Sequence, residues 1–369
     1  MNKVFLSGYY GEKNTGDDLL LMCALWGCHT FLSPSTIQVT TVTELHNAFS
    51  YSAIFKKEEG IRNENLLNLY YHAITAKYIV FGGGSVFHST DKMTRDKDLI
   101  DLSSKGNAIA LGVSFGPFRD SGAETACRKL LESFKYIGCR DNDSVQLIQN
   151  LAPHVKVEKT FDLAPLIFKS SGFPTNYLSK KKRKGLGLAL CHYERYINGE
   201  LSIEEERIRK VIKVLNELPS SDIEEIVIID FNGHPIFGDS NIHKEVIQNL
   251  NLNIPIKYIP YHPDPLNAIK EIATLKCLIG MRLHSSIFGY LTQTPTIIFS
   301  YHPKCLGWAE QIGASDEFVI NSIKFEEEEL LNRILKIFNG NYKYPQLSIE
   351  QAEQLALQNW EGAKCAIFQ

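Results

Sequence analysis

The chain has 369 residues, of which 44% are hydrophobic and 22% charged, and its formal net charge is -3. This length predicts two hydrophobic cores rather than one. The charge gives no electrostatic basis for nucleic acid or an anionic membrane as the main partner, so local cations have to meet any anionic ligand.

The N-terminus and the cysteines indicate a cellular compartment. The start, MNKVFLSGYYGE, has only a short apolar run before polar turn residues, unlike a secretory signal. No stretch approaches the roughly 18 uninterrupted apolar residues of a spanning helix. The eight cysteines contain no CxxC pair, and we interpret them as reduced thiols. The sequence therefore predicts a cytoplasmic protein with at most peripheral membrane contact, at the inner face.

Short apolar runs alternate with amphipathic stretches through the first half. The runs predict strands at 4–7, 37–42, 78–82, 108–114, 136–140 and 155–160. Helical stretches such as DLLLMCALWGCHTFL and ETACRKLLESFKY lie between them, as crossover helices of a parallel sheet would. Residues 1–170 are therefore predicted to form a Rossmann-like, doubly wound α/β domain.

A polar segment with Gly, Pro and five basic residues then interrupts the pattern, and we predict a linker at 171–184. The alternation resumes with GLGLALCHY, EEIVIIDFN, IPIKYIPY, KCLIGM and TPTIIFSY, which predict a second Rossmann-like domain at 185–345. The tail, 346–369, contains SIEQAEQLALQNWEGAKCAIF, an amphipathic helix suited to packing across the two domains. The predicted fold is two such domains facing a cleft.

Three loops that follow predicted strands carry chemistry. GYYGEKNTGDD follows the first strand but ends in two carboxylates, which would repel a phosphate. FGGGS gives the backbone freedom to approach a ligand, although it lacks GxGxxG spacing and no GxxxxGKS loop occurs. In GMRLHSS, Arg282 and His284 would flank a helix N-terminus, which favours an anion, and Ser285 or Ser286 could cap that helix.

The spacing of histidine and cysteine residues gives no indication of a metal site. The chain has no HExxH motif and no close cluster of Cys and His. We therefore expect no metal and no cofactor.

Five motifs in order, GYYGEKNTGDD, FGGGS, CRDNDS, GMRLHSSIFGY and SYHPK, resemble those of the polysaccharide pyruvyl transferase family. They extend from Gly8 to Lys304. The resemblance implies a glycosyltransferase-B-like fold and transfer of the pyruvyl group of phosphoenolpyruvate to two sugar hydroxyls, giving a cyclic ketal and phosphate. The implied donor-binding residues are Arg140, Arg282, Leu283, Lys304, Gly83, Gly84 and Ser85, with His284 as the proton donor.

The acceptor is expected on the side of the first domain, where carboxylates can align hydroxyls. Asp17 is the candidate catalytic base, with an N-terminal helix cap as the equal alternative; for Asp18 a cap or a first-turn position is favoured. The other candidate acceptor-binding residues are Tyr9, Tyr10, Asn14, Asp18, His88 and Asp239. Either tyrosine is as well explained by core packing.

Substrate identity and assembly stay open at this stage. The acceptor is expected to be a surface polysaccharide of the cell envelope or its lipid-linked oligosaccharide precursor, and a homo-oligomer is left open. Two alternatives remain: a nucleotide-sugar-dependent glycosyltransferase of the same architecture, and a non-catalytic carbohydrate-binding paralogue. The set of Arg140, Arg282, His284 and Lys304 argues against the paralogue.

Overall fold

The computed structural model describes residues 2–45, 49–55, 62–103, 106–172, 183–219 and 223–368, and the backbone only at 62–65. The chain forms two compact units. Unit 1 contains Met1–Glu12, Asp17–Phe173 and Glu350–Gln369, and unit 2 contains Lys13–Gly16 and Pro174–Ile349. Residues 173–182 of the predicted linker lie outside the described residues.

Unit 1 is built on a seven-stranded, wholly parallel sheet. Its strands are β1 Lys3–Tyr10, β2 Thr36–Thr41, β3 Ser52–Phe55, β4 Tyr78–Phe87, β5 Ala108–Phe115, β6 Phe134–Cys139 and β7 Glu158–Lys159. Its first helices are α1 Thr15–Gly27, α2 Arg62–Thr75, α3 Thr90–Leu102, α4 Ala123–Leu131, α5 Asn142–Leu151 and α6 Ile167–Ser170. The strand order is β3-β2-β1-β4-β5-β6-β7.

Unit 2 repeats this design with a six-stranded parallel sheet. Its strands are β8 Leu186–Ala189, β9 Ile226–Ile229, β10 Ile256–Ile259, β11 Cys277–Gly280, β12 Thr296–Ser300 and β13 Val319–Asn321. Its helices are α7 Leu201–Glu217, α8 Ser240–Asn249, α9 Leu266–Ile272, α10 Leu283–Leu291, α11 Pro303–Ile312 and α12 Glu327–Phe338. The strand order is β10-β9-β8-β11-β12-β13.

The sheets form because their central strands are continuous apolar runs that helices can cover on both faces. Every residue of β5 is buried, as is every residue of β8, β9 and β11. The central strands therefore supply the core of each unit, and the prediction of two Rossmann-like domains is confirmed.

The last helix, α13 Ile349–Phe368, belongs to unit 1 from Glu350 onward. Trp360 is fully buried there and stacks on Phe31 with a centroid distance of 5.7 Å. Gly27 makes room for the indole, since a Cβ on Gly27 would lie 2.0 Å from it. Trp360 and Gly27 therefore let this helix pack closely against α1 within unit 1, and packing across both domains stays a prediction.

The largest local difference from the predicted elements is β4. Its strand does not end before the glycines of FGGGS but continues to Phe87 and stays paired with β5. Gly83 and Gly84 adopt φ values of 77° and 86°, which only glycine adopts readily. The segment is therefore a twisted strand end rather than a loop. In the part of the chain that the structure describes, no helix is long and apolar enough to span a membrane.

Candidate active site

The predicted motifs occupy equivalent positions in the two sheets. In each unit the strand order reverses at the first strand, between β1 and β4 in unit 1 and between β8 and β11 in unit 2. Open parallel sheets bind ligands beyond the carboxyl ends of strands at such a reversal. FGGGS lies at the end of β4, and GMRLHSS begins in β11. Each motif is therefore placed where a ligand site belongs in its own unit.

In unit 2, Arg282 is fixed by a buried carboxylate. Its Nε and Nη2 both donate to Oδ1 of Asp239, with Nε at 3.0 Å. Oδ2 of Asp239 accepts the backbone N–H groups of Phe231 and Asn232, each at 2.9 Å. Burial lowers the pKa of Arg282, but the charge and hydrogen bond of Asp239, together with the nearby Cys191 and Tyr301, raise it by more, so the pKa lies above its ordinary value. The guanidinium is thus a permanent cation in a defined orientation.

This arrangement gives Asp239 a different role from the predicted acceptor contact. The side chain of Asp239 is fully buried, and both of its oxygens are engaged. By contrast, 20% of the Arg282 side chain is exposed. Nη1 of Arg282 donates to none of the residues that the structure describes. Asp239 therefore lies behind Arg282 and orients it.

Helix α10 begins one residue after Arg282. Arg282 is the N-cap residue, and Leu283 and His284 form the first turn. The predicted capping by Ser285 or Ser286 does not occur: Ser285 Oγ donates to the carbonyl of Arg282 at 2.6 Å, and Ser286 Oγ donates to that of Gly280 at 3.1 Å. The N–H of Ser285 donates to the carbonyl of Arg282 at 2.9 Å, and the partial positive charge of the helix N-terminus at Leu283 favours an anion.

The segment 13–16 of the first motif is part of unit 2. The N–H of Thr15 donates to the carbonyl of Phe231 at 2.9 Å, and the N–H of Gly233 donates to that of Lys13 at 2.8 Å. Asn14 forms an antiparallel bridge with Asn232. The segment is therefore attached to the loop whose amides also hold Asp239.

Gly16 lies directly against the imidazole of His284. A Cβ on Gly16 would be 2.1 Å from Nδ1 and 2.2 Å from Cγ of that ring. The Oδ1 of Asn14 accepts the N–H of Gly16 at 3.1 Å and so caps α1, which begins at Thr15. Asp17 and Asp18 both lie within the first turn of α1, so neither is its cap; for Asp18 the first-turn position had been predicted beside the cap.

Lys304 begins the next helix of unit 2. His302 is the N-cap residue of α11, and its Nδ1 accepts the N–H of Lys304 at 3.2 Å. Burial and the charge of Lys304 lower the pKa of His302 to about 4. The ammonium of Lys304 lies 5.8 Å from the ring centroid of Tyr301. His302 is therefore neutral at pH 7, and Lys304 provides a second cation at the carboxyl ends of these strands.

In unit 1, Arg140 is the centre of a buried network. Its Nε donates to Ser114 Oγ at 2.7 Å, Nη1 donates to Asp162 Oδ2 at 2.7 Å, and Nη2 donates to Ser85 Oγ at 3.0 Å. Arg140 is 7% exposed. Its guanidinium thus joins the ends of β4, β5 and β6 and fixes Ser85 of the FGGGS motif.

The glycines of FGGGS lie beside Asp17. A Cβ on Gly84 would be 3.2 Å from Oδ1 of Asp17, and a Cβ on Gly83 would be 3.0 Å from Leu20 of the same helix. The missing side chains let α1 approach β4 closely. As a result, the Asp17 carboxylate and the FGGGS backbone form one surface within unit 1.

The two adjacent tyrosines of GYYGE face opposite sides of β1. Tyr9 is half-buried, stacks on His88, and its hydroxyl lies 3.0 Å from Nε2 of that histidine. Burial and the nearby cations Arg119 and Lys92 lower the pKa of His88 to about 4. Tyr10 is instead a core residue, 1% exposed, and its hydroxyl donates to the carbonyl of Gly82. The predicted acceptor contact of Tyr10 is therefore replaced by core packing.

Asp18 is also buried, at 1% exposure, so it does not present the predicted acceptor-binding surface. Within the described ranges, no group of three or more His, Cys, Asp or Glu is arranged to hold a metal ion. The residues that sequence reasoning missed are the partners: Gly16, Ser114 and Asp162. Asp162 had a detectable signal, because it follows the last predicted strand and an unpaired buried arginine requires a carboxylate.

Solved structures similar to this chain have the two-domain glycosyltransferase-B architecture. UDP-GlcNAc 2-epimerase from Neisseria meningitidis, bound to UDP-GlcNAc, is 10% identical with a TM-score of 0.57, and the match covers 98% of this chain and 100% of that one. S. aureus MnaA with UDP is 10% identical with a TM-score of 0.59, covering 96% and 95%. An alpha-glucosyltransferase in complex with UDP and DNA is 9% identical with a TM-score of 0.54, covering 100% and 99%.

These similarities define the class of protein: two Rossmann-like domains of the glycosyltransferase-B type. No curated protein sequence matches the chain. The family model for polysaccharide pyruvyl transferase matches residues 30–303. The chain therefore belongs to the polysaccharide pyruvyl transferase family, a family of transferases that act in polysaccharide biosynthesis on a sugar acceptor.

Proposed function

We propose that this protein transfers the pyruvyl group of phosphoenolpyruvate to two hydroxyls of one sugar, forming a cyclic ketal and releasing phosphate. The acceptor is a surface polysaccharide or its lipid-linked precursor. The observation that carries the proposal is the unit 2 site: Arg282 held by buried Asp239 at the start of α10, with His284 two residues later, in a chain of this family.

The donor carries a carboxylate and a phosphate close together, so it needs fixed cations and amide donors. Arg282 offers an oriented guanidinium, and the first turn of α10 adds backbone amides that include Leu283. Lys304 is the proposed second cation of unit 2. In unit 1, Arg140 holds Ser85 beside Gly83 and Gly84, and we propose that this segment approaches the donor through its backbone.

Reaction requires a proton on the methylene carbon of the donor, which makes C2 electrophilic. We assign this proton to His284, because an imidazole donates and recovers protons near neutrality. One sugar hydroxyl then bonds to C2, and the second hydroxyl displaces phosphate. Of the two hydroxyl protons, one replaces the proton lost by His284 and the other leaves with phosphate. Gly16 supports this role by limiting where the ring can lie.

The acceptor requires a base and hydrogen-bonding groups. Asp17, whose carboxylate lies at the FGGGS backbone, is the proposed base. Tyr9 is half-buried and offers an aromatic face on which a sugar ring can rest, and His88, which is 7% exposed, stacks on Tyr9 and holds its hydroxyl from behind. Asn14 keeps a proposed acceptor role through its amide nitrogen, since its oxygen accepts the N–H of Gly16.

Nucleotide-sugar transfer is the second candidate, because the similar structures include proteins solved with UDP or UDP-GlcNAc. Binding measurements separate the candidates. A ligand that binds the folded state raises the melting temperature. We expect phosphoenolpyruvate to raise it and UDP-sugars to leave it unchanged; stabilisation by a UDP-sugar alone would favour the second candidate. Binding of a sugar acceptor without consumption of phosphoenolpyruvate or of a UDP-sugar would favour a carbohydrate-binding paralogue.

Two variants assign the roles. Arg282→Ala is expected to abolish stabilisation by phosphoenolpyruvate, because the oriented cation is lost. Arg209→Ala is the matched control: that arginine lies on α7 of the same unit, is 56% exposed and bridges only carboxylates. His284→Ala is expected to keep donor binding and lose phosphate release. Unchanged turnover in that variant would remove His284 from the acid role.

A further inference from the structure

A buried asparagine on the last helix contacts three segments of unit 1. Asn359 of α13 is 0% exposed. Its Oδ1 accepts the N–H of Gly112 at 2.7 Å and the hydroxyl of Thr160 at 2.8 Å. Its Nδ2 donates to the carbonyls of Phe161 at 3.0 Å and Ala356 at 3.1 Å. The amide oxygen and the amide nitrogen of Asn359 each make two hydrogen bonds, and all four lie inside the protein core.

The contact with Gly112 satisfies a backbone N–H at a β-bulge between β5 and β6. Between β5 and β6, Ala110 pairs with Ile137 and Val113 with Cys139, so β5 has one residue more than β6 over this interval. Such a bulge leaves a backbone group outside the ladder. Gly112, with φ of 60°, donates that N–H to Asn359.

Gly138 on β6 provides the space for the amide. A Cβ at position 138 would lie 2.4 Å from Oδ1 of Asn359. The N–H of Arg140, two residues later, donates to the carbonyl of Val113 at 3.0 Å, so pairing between β5 and β6 resumes immediately beyond the bulge. Asn359 thus occupies the gap that precedes the Arg140 network.

Two residues that bond Asn359 Oδ1, and the glycine that makes room for it, each lie two residues before a member of that network. Gly112 precedes Ser114, Gly138 precedes Arg140, and Thr160 precedes Asp162. Ser114 and Asp162 are the partners of Nε and Nη1 of Arg140. One amide therefore hydrogen-bonds the two segments that carry Ser114 and Asp162, and it lies beside the strand that carries Arg140.

We propose that Asn359 is a positioning residue for Arg140, supplied by a helix outside the matched range 30–303. It acts by holding the β5 bulge and the Thr160 segment, and it does not touch the substrate. The proposal rests on the proposed function only in giving Arg140 a part in the reaction. It extends the site to the C-terminal helix.

Kinetics provide the first test, with phosphate release from phosphoenolpyruvate as the assay. At nearly constant shape, Thr160→Val removes the hydroxyl that donates to Oδ1 of Asn359 and to the carbonyl of Cys139, whereas Asn359→Ala removes all four contacts of the amide. Each variant loses buried hydrogen bonds and so shifts Arg140. We expect each to raise KM for the donor about tenfold and to leave kcat nearly unchanged. Glu361→Ala, at an exposed position of the same helix, is the control and is expected to match the wild type.

A double-mutant cycle distinguishes positioning from general support of the fold. In an Arg140→Lys background, Asn359→Ala is expected to change KM less than twofold, because the group that it positions is already altered. The proposal would be overturned if the KM increases of Asn359→Ala and Arg140→Lys multiplied in the double variant. It would also be overturned if Asn359→Ala and Thr160→Val both had a normal KM.

Amide hydrogen exchange supplies a readout that needs no substrate. Asn359→Ala or, if that variant does not fold, Thr160→Val is expected to lose protection in peptides covering 108–115 and 134–140, while Glu361→Ala keeps it. If the wild type releases no phosphate, the proposed function fails and exchange alone decides the inference. Unchanged protection at the Arg140 amide would then refute it.

Discussion

Replacing Gly16 by alanine is expected to displace His284. The new Cβ would lie 2.1 Å from Nδ1 of the imidazole, whereas ordinary contact begins at 3.4 Å, so the ring or the loop has to move about 1.3 Å. Ring rotation alone does not relieve the clash, because the Cβ of His284 itself would be 2.8 Å away. Overpacking of this kind costs about 1–3 kcal/mol of unfolding free energy. A displacement of about 1 Å at a reacting group costs about 100-fold in rate.

The assay combines the melting temperature with the rate of phosphate release. Gly307→Ala is the matched control, since a Cβ at position 307 has nothing within 4 Å. Gly307→Ala is expected to match or slightly exceed the wild type in stability, because alanine favours a helix. Adding Gly16→Ala to His284→Ala is expected to cost less stability than adding it to the wild type, because the ring is gone and only the 2.8 Å contact with the remaining Cβ is left. The reasoning is refuted if Gly16→Ala and Gly307→Ala behave alike in both measurements.

Three further predictions concern ionisable and reactive groups. Arg282→Ala leaves the buried carboxylate of Asp239 without its cation and is expected to lower the free energy of unfolding in urea by about 3–5 kcal/mol. Replacing both Arg282 and Asp239 by alanine is expected to cost less, and equal losses in the single and double variants would contradict the buried pair. The folded-state pKa of His88 is about 4 against an ordinary 6.5, so between these values only the unfolded chain binds the proton, and stability falls as the pH falls from about 6.5 to about 4. His88→Asn is expected to reduce this slope in melting curves, with the contribution of His302 remaining, and an unaltered slope would count against the role of His88. Cys365 is exposed while the other seven cysteines are buried, so a thiol reagent is expected to label only Cys365 in the native protein and nothing in Cys365→Ser.

Much of the fold could be predicted because its central strands are continuous apolar runs. β3 and β13 escaped prediction because each is short and has only one buried residue, so neither shows the continuous apolar run by which the central strands were predicted. The continuation of β4 also escaped, since consecutive glycines usually mark a turn and only pairing with β5 keeps them in the sheet. The C-terminal helix was predicted, but its position in unit 1 depends on contacts of Trp360 with Gly27 and Phe31, which sequence spacing does not reveal.

The candidate site was predictable where its residues are close in sequence. Arg282 and His284 are two positions apart at a strand end, which a strand-loop-helix pattern indicates. Asp239 is 43 positions from Arg282, and Asn359 is 199 from Thr160, so only the folded chain shows these partners. The pair Tyr9 and Tyr10 had to face opposite sides of a strand, but the alternation alone does not say which one enters the core.

The central claim is transfer of a pyruvyl group, and the most direct measurement follows phosphate and product mass together. The protein is incubated with phosphoenolpyruvate and a panel of acceptors that offer paired hydroxyls, including N-acetylmannosamine, galactose and glucuronate-containing repeats. We predict one phosphate released for each acceptor that gains the mass of a pyruvyl ketal, with His284→Ala inactive. Phosphoenolpyruvate left unchanged while a UDP-sugar is consumed would contradict the account.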